Sequence, residues 1–121
     1  GQACLAEMSE ATVREFIAET RGDRFFGLER FNMSEAALFK RLEETRRRGY
    51  GVRVSHYVGE TLIDDGLSAI GTAILKQQMV IGAISLLYPR DLMSHEAIAA
   101  RYLEKLQATA GQISRDLDSF A

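Results

Sequence analysis

The sequence lacks residues that several large classes of protein require. Its 121 residues include one cysteine, Cys4, two histidines and no tryptophan. A single cysteine excludes a disulfide framework within the chain and leaves a thiol-based metal site without partners. Two histidines add too few ligands to change this, so we expect no metal site and no cofactor. A cysteine-poor chain is typical of a reducing compartment, which predicts a cytoplasmic location.

An excess of charge and a long hydrophobic run are also missing. The formal net charge is −2, so no basic excess is available to hold a phosphate backbone. Residues 76–78 (Lys-Gln-Gln) break the longest apolar run, and we find neither a signal peptide nor a membrane span. With 46% hydrophobic and 26% charged residues, the chain suits one small globular domain.

The most apolar and β-rich stretch runs over residues 66–89 and is broken only at residues 76–78. Such a pattern predicts two antiparallel strands joined by a hairpin, with the other segments covering them. A three-residue loop at 76–78 would place Ala69 opposite Ser85 and Leu67 opposite Leu87, on one face. A two-residue loop would shift the register by one residue and separate Ala69 from Ser85.

That shared face is poor in bulky side chains. It carries small residues on both strands: Ala69, Gly71, Ala73, Ala83 and Ser85. One interpretation is a floor beneath a ligand, with the Ser85 hydroxyl as a hydrogen-bonding group. The other is a sheet packed closely against a helix, since small residues also permit close backbone approach.

Helices are predicted on both sides of this hairpin. Residues 1–8 favour a short helix whose free N–H groups could hold an anion such as a carboxylate, or could simply face water. Three serines in N-cap position, Ser9, Ser34 and Ser94, predict the starts of three longer helices. Each is followed by an apolar stripe at helical spacing: Val13, Phe16 and Ile17; Leu38 and Leu42; Leu103, Leu106, Ala110, Ile113 and Leu117.

Between the third helix and the hairpin, the alternation over residues 51–58 predicts a half-exposed strand that contains His56. The loop that follows, residues 59–65, holds the carboxylates Glu60, Asp64 and Asp65. These could be solvated turn residues or could line the rim of a pocket.

Three motifs together resemble a known family. The opening GQACLAEM is similar to a Gly-x-Ala-x-Leu-Ala helix start, and RRRGYG at 46–51 is similar to Arg-x-x-Gly-Tyr. GLSAIGTAI and VIGAISLLYP are similar to Gly-Leu-x-Cys-Ile-Ala-x-Pro/Ala-Ile and Ala-x-Ser-x-Ser-x-Pro. In this order, they resemble the effector-binding domain of the IclR family of bacterial transcription regulators. YGVR and IGAISLLY look closest to members that control aromatic-acid breakdown.

The resemblance implies an α+β, GAF-like domain, an antiparallel sheet flanked by helices, that binds a small organic acid in the cytoplasm. It implies that residues 1–121 form a single partial effector-binding domain, with its first strands and the DNA-binding helix-turn-helix domain missing. DNA would then be bound only through that missing domain. Self-association as a dimer or tetramer is also implied, and a membrane partner is not.

The resemblance also assigns site residues. Gly1 and Gln2 lie at the helix start whose amides hold the ligand carboxylate. Ala69 stands where a pocket cysteine is common, Ser85 matches the first of two pocket serines, and Leu87 replaces the second.

Two further assignments complete the expected pocket. Leu67 shares the face of Leu87, and Glu60 falls at the spacing of a pocket acidic residue that has no clear counterpart here. Loss of a cysteine and a serine makes the pocket more apolar, which favours a larger, partly aromatic acid over a two-carbon oxoacid.

Two other functions remain open on the residues alone. A small enzyme would need a nucleophile and base or a metal cluster, and the sequence shows neither, so we expect no catalysis. An oligomerisation domain without a ligand would use the last helix as its seam. A pocket beside Ala69 and Ser85 would favour a sensor, whereas a filled core there would favour oligomerisation.

Overall fold

The computed structural model describes residues 1–54 and 64–120. Four α-helices and three strands are present in that part, with a short 3₁₀ helix at Leu28–Phe31. The helices are α1 (Gln2–Ala6), α2 (Glu10–Glu19), α3 (Glu35–Arg48) and α4 (His95–Asp118). The strands β1 (Gly51–Val52), β2 (Leu67–Lys76) and β3 (Met79–Pro89) form an antiparallel sheet in the order β1-β2-β3. The expected α+β class is confirmed.

The three predicted serine caps are all present. The hydroxyls of Ser9, Ser34 and Ser94 accept hydrogen bonds from backbone N–H groups three residues further on, at Thr12, Ala37 and Ala97. These bonds satisfy amides that a helix start otherwise leaves without acceptors. At the other end of α3, Gly49 has a φ of 87°, the left-handed conformation that ends many helices.

Two apolar clusters form the core. In the first, α1, α2 and α3 pack together through Ala6, Val13, Ile17, Leu38 and Leu42. In the second, α4 packs on the sheet, and the buried residues are Tyr50, Ile70, Tyr88, Ile98 and Leu106. The predicted stripes therefore face the core, except that Phe16 of α2 is an exposed side chain.

The hairpin differs from the prediction in its loop. Lys76 pairs directly with Met79, so the loop is the two residues Gln77 and Gln78, whose φ values are 50° and 66°. Positive φ at both positions matches the twist of a two-residue hairpin turn. The predicted three-residue loop, with Leu75 opposite Met79, is wrong.

A register shift follows within a few residues of the turn. Leu75 pairs with Val80 and Ile74 with Gly82, so Ile81 is an extra residue on β3. Such a bulge offsets the strands by one further residue. Beyond it Gly71 lies opposite Ser85, and the predicted pairing of Ala69 with Ser85 is wrong.

The same offset corrects the end of the hairpin. Leu67 lies opposite Pro89 and Ala69 opposite Leu87, so the predicted pairing of Leu67 with Leu87 is wrong. The shared face is nevertheless kept, because the two-residue loop and the bulge together move the register by two residues, and side chains alternate with a period of two.

The strand predicted over residues 51–58 is shorter where the structure describes it. β1 ends at Val52, although the Arg53 N–H still donates to the Ala69 carbonyl at 3.0 Å. Residues 55–58, with His56, and the loop residue Glu60 lie outside the described part of the chain.

Candidate functional site

The two faces of the β2–β3 hairpin have different surroundings. Ile70 points toward α4 and is fully buried in the second cluster. On the opposite face, β3 alternates outward, and Ala83, Ser85 and Leu87 are all exposed. This open face is the one that carries the small residues, and its β3 half is not filled by a packed core.

Helix α1 lies against this open face and contacts all three strands. A Cβ atom at Gly51 would lie 2.8 Å from the backbone nitrogen of Ala3, which is closer than real Cβ contacts come. Only glycine fits there, because the start of α1 is seated directly on β1. The sequence analysis did not single out Gly51; a glycine inside a predicted strand was the available signal.

One rung of the sheet links the helix start to the predicted pocket serine. Gly51 pairs with Gly71, and Gly71 pairs with Ser85. A Cβ at Gly71 would lie 3.1 Å from Ser85 Oγ, which shows that the hydroxyl leans over Gly71 toward α1. Two strand spacings are about 10 Å, so the α1 N-terminus and the Ser85 hydroxyl lie within the reach of one small molecule.

The start of α1 offers hydrogen-bond donors. The N–H groups of Gln2, Ala3 and Cys4 have no acceptor within the helix, and the N-cap residue Gly1 supplies no side-chain acceptor. The Gln2 Oε1 atom is buried and has no hydrogen-bond partner among the described residues. A buried acceptor without a partner is unfavourable, so this atom is suited to a donor from a bound molecule or water.

The remaining predicted site residues that the structure describes fall on the same face, whereas Glu60 lies outside the described part of the chain. Ala69 and Leu87 form a directly opposed pair next to the Gly71–Ser85 pair, and Leu67 follows at the start of β2. Within the described residues, the Ser85 hydroxyl has no hydrogen-bond partner. The structure thus brings Gly1, Gln2, Leu67, Ala69, Ser85 and Leu87 to one side of the sheet.

Asp64 and Asp65 are already engaged by arginines. Asp64 accepts two hydrogen bonds from the Arg90 guanidinium, and Asp65 accepts from Arg53 at 3.1 Å. The Arg90 hydrogen bond, helped by the Gly66 N–H, lowers the pKa of Asp64. The Leu67 N–H, helped by Arg53, lowers the pKa of Asp65. Both carboxylates therefore stabilise the start of β2 as anions.

Two cavities in the described part of the chain are not lined by Ala69, Ser85 or Leu87. A cavity of about 170 Å³ lies among Ile17, Leu28 and Met33 in the helical cluster. A smaller one, about 60 Å³, lies where α1 and the end of α3 meet the edge of β2. The smaller cavity has room for water but not for an organic acid. It is lined by Thr72, whose buried hydroxyl has no hydrogen-bond partner among the described residues.

Residues 1–54 and 64–120 contain neither a cluster of metal-binding side chains nor a membrane-spanning helix. In these ranges no group of His, Cys, Asp or Glu side chains is arranged to hold a metal ion. No helix in them is sufficiently long and apolar to cross a bilayer.

Comparison with known proteins identifies the fold. The chain matches the family model for the bacterial transcriptional regulator IclR C-terminal domain over residues 1–115. Similar solved structures are the C-terminal domain of the E. coli transcriptional regulator KdgR (TM-score 0.71, 21% identity) and the Thermotoga maritima IclR (TM-score 0.71, 21% identity). The Agobacterium tumefaciens repressor BlcR is also similar (TM-score 0.68, 22% identity).

The matches cover nearly all of this chain but only part of the similar chains. Each covers 97% of this chain, but only 44% of the BlcR and T. maritima IclR chains and 66% of the KdgR domain. No curated protein matches the chain. Identities of 21–22% show a shared fold.

Proposed function

The chain belongs to the family of bacterial transcriptional regulator IclR C-terminal domains, and on that premise we propose that it senses a small organic acid for a transcription regulator. One observation carries the proposal. The paired residues Gly51, Gly71 and Ser85 place the α1 N-terminus and the exposed Ser85 hydroxyl on the same face of the sheet, with Gly71 between them. DNA binding would belong to a helix-turn-helix domain that the described residues do not include. Effector binding would bias the placement of those domains in an oligomer.

The polar end of the effector is a carboxylate held by backbone amides. The N–H groups of Gln2, Ala3 and Cys4 lack intrahelical acceptors and lie over the sheet beside Gly51. Hydrogen bonds from neutral donors to an anion are stronger than those between neutral groups. Because α1 has only five residues, its amides contribute more to this site than a helix dipole does.

The body of the effector lies along the hairpin. Ala69 leaves room above β2, while the half-exposed Leu87 and the neighbouring Leu67 supply apolar surface. An aromatic ring that covers about 100 Å² of such surface would gain about 2.5 kcal/mol, whereas a two-carbon oxoacid would leave it uncovered. The effector is therefore a larger, partly aromatic acid.

Two further groups select its polar substituents. The Ser85 hydroxyl can donate to or accept from a substituent on the effector, since it has no protein partner among the described residues. The buried Gln2 Oε1 atom requires a donor. An aromatic acid with a hydroxyl group satisfies both better than an unsubstituted one. Glu60, outside the described residues, remains the proposed acidic lining residue.

Catalysis is not part of the proposal. Ser85 lies in the middle of β3 rather than at a sharp turn, and within the described residues no base is bonded to its hydroxyl. The matched family and the similar structures are transcription regulators.

Isothermal titration calorimetry with a panel of acids tests the proposal. We expect benzoate and hydroxybenzoates to bind more tightly than glyoxylate or pyruvate. Ser85→Ala should weaken binding of the hydroxylated acid about 2- to 13-fold, as loss of one hydrogen bond of about 0.5–1.5 kcal/mol predicts. Ser68→Ala is the matched control, because Ser68 lies on the same hairpin but on the opposite face.

Two results would contradict this assignment. Binding of glyoxylate in preference to every aromatic acid would show that the apolar face does not select the ligand. Equal effects of the two serine substitutions would show that the ligand does not lie on the face of Ser85.

A further inference from the structure

The helical cluster contains a cavity that the effector proposal does not use. It has a volume of about 170 Å³ and lies between the end of α2, the 3₁₀ helix and the start of α3. Its lining residues are Ile17, Arg21, Leu28, Glu29, Met33 and Glu35. None of them belongs to the sheet or to residues 1–16, so the cavity is separate from the open face and from the start of the chain.

The floor of the cavity is apolar. Ile17 is buried, and Leu28 and Met33 are partly buried side chains that pack against the first apolar cluster. Pockets for drug-sized ligands have volumes of about 300–1,000 Å³, so this cavity selects a smaller molecule. An engineered apolar cavity of about 150 Å³ holds benzene, so a side chain of the size of leucine or methionine fits here.

The rim of the cavity carries two opposite charges that do not pair. Arg21 follows α2, Glu29 lies in the 3₁₀ helix, and both residues are exposed. Among the described residues, neither side chain has a hydrogen bond or an ion pair. Because they line the same cavity without bonding to each other, a molecule that carries both an anion and a cation can bridge them.

The second carboxylate of the cavity is already engaged. Glu35 accepts a hydrogen bond from the Arg14 guanidinium, which leaves Glu29 as the acceptor for a ligand cation. The Glu29 side chain lies over Gly27: a Cβ atom at Gly27 would lie 2.7 Å from Glu29 Oε2 and 2.9 Å from the Thr20 carbonyl oxygen. The missing side chain at Gly27 therefore lets Glu29 approach the end of α2.

We propose that this cavity binds a small free α-amino acid with an apolar side chain, such as leucine or methionine. The ligand carboxylate pairs with the Arg21 guanidinium, the ligand ammonium pairs with Glu29, and the side chain covers Ile17, Leu28 and Met33. Hydrogen bonds between charged groups are stronger than those between neutral ones, and burial of the side chain adds to them. The site shares no residue with the proposed effector site and does not rest on that proposal.

Isothermal titration calorimetry with L-leucine and three analogues tests which ligand groups are recognised. Isocaproate lacks the ammonium group, isoamylamine lacks the carboxylate, and glycine lacks the side chain. We expect leucine and methionine to bind, and each analogue to bind at least tenfold more weakly than leucine, because each loses one of the three contacts.

Charge-removing variants test the two rim residues. Arg21→Gln and Glu29→Gln should each weaken leucine binding at least tenfold, as loss of a hydrogen bond between charged groups predicts. Arg47→Gln and Glu104→Gln are the matched controls, because they remove the same charges at exposed positions that do not line the cavity. Circular dichroism of all four variants checks that each still folds.

Methyl resonances of ¹³C-labelled methionine locate the ligand. Unlabelled leucine should shift the signal of Met33 and leave that of Met93, which packs against the second apolar cluster, unchanged. Leucine should bind Ser85→Ala as tightly as the parent chain, since Ser85 belongs to the proposed effector site. This result separates the present site from that one.

Four results would overturn the proposal. Neither amino acid could show saturable binding at millimolar concentration, or isocaproate or isoamylamine could bind as tightly as leucine. Arg21→Gln could have no more effect than Arg47→Gln, or leucine could shift the signal of Met93 and not that of Met33.

Discussion

Substitution of Gly51 by alanine should displace α1 slightly from the sheet and destabilise the domain. The added Cβ would lie 2.8 Å from the Ala3 nitrogen and 3.4 Å from both its Cα and its Cβ. The nearest of these is a backbone atom, so no side-chain rotation can relieve the contact. Helix α1 must move away by about half an ångström or more to restore an ordinary van der Waals separation.

The magnitude follows from the cost of overpacking. An extra methyl group forced into a close-packed site destabilises a domain by about 1–3 kcal/mol. For a domain of this size, that corresponds to a decrease in Tm of roughly 4–12 °C. The same displacement moves the α1 amides relative to Ser85, so binding of the acid should weaken by more than the stability loss alone explains.

Differential scanning calorimetry and acid titration on two variants measure these effects. Gly82→Ala is the matched control, because the new Cβ would meet nothing within 4 Å. Replacing glycine with alanine at such a site should change stability by less than about 1 kcal/mol. The reasoning would be refuted if Gly51→Ala melted at the temperature of the parent chain, because α1 could not then be seated on β1 as described.

Three further predictions concern the core, a helix cap and an ion pair. Leu42→Ala removes a fully buried side chain and should lower the free energy of unfolding in urea by about 2–5 kcal/mol; Leu92→Ala, at an exposed site, should change it little, and equal effects would contradict the packing. Ser94→Ala removes the hydrogen bond to the Ala97 N–H and should lower that free energy by about 0.5–2 kcal/mol, with a parallel loss of helical circular dichroism; an unchanged urea midpoint would contradict the cap. The Arg90 guanidinium is the first cause of the lowered pKa of Asp64. The Asp64 carboxylate therefore contributes stability at pH values above its unfolded pKa of about 3.9, and this stability is lost as the pH falls through the lower folded pKa. The urea midpoints of the parent chain and Asp64→Asn should therefore differ at pH 6 and converge once the pH has fallen below both the unfolded and the folded pKa, and a constant difference would contradict the assignment.

Local signals in the sequence predicted the helices well. An N-cap serine and the amide that it binds are three residues apart, so the whole interaction lies within one turn of chain. The apolar stripes of α2 and α3 were also predicted by spacing alone. Phe16 was the exception: it fits the stripe of Val13 and Ile17, yet it lies at the margin of the buried face and is exposed.

Long-range geometry could not be predicted in the same way. The contact between Ala3 and Gly51 joins residues far apart in sequence, and a strand glycine alone does not say what lies against it. The Thr72 hydroxyl, which has no hydrogen-bond partner among the described residues, was missed for the same reason, since the sequence of β2 shows only an alternation of small and branched residues at that position.

The sequence analysis predicted a three-residue loop and no bulge. The two-residue loop and the bulge of the structure together determine which face of the sheet carries Ser85. With the two-residue loop alone, continuous pairing from Lys76 and Met79 would place Ser85 opposite Ile70, the fully buried residue that faces α4. The extra residue Ile81 moves Ser85 to the opposite face, opposite Gly71 and near the start of α1. A one-residue slip exchanges every side chain between the faces of a strand. The bulge is thus a requirement for the proposed effector site, because without it the Ser85 hydroxyl would lie in the core of the sheet and Ile84 would take its place opposite Gly71.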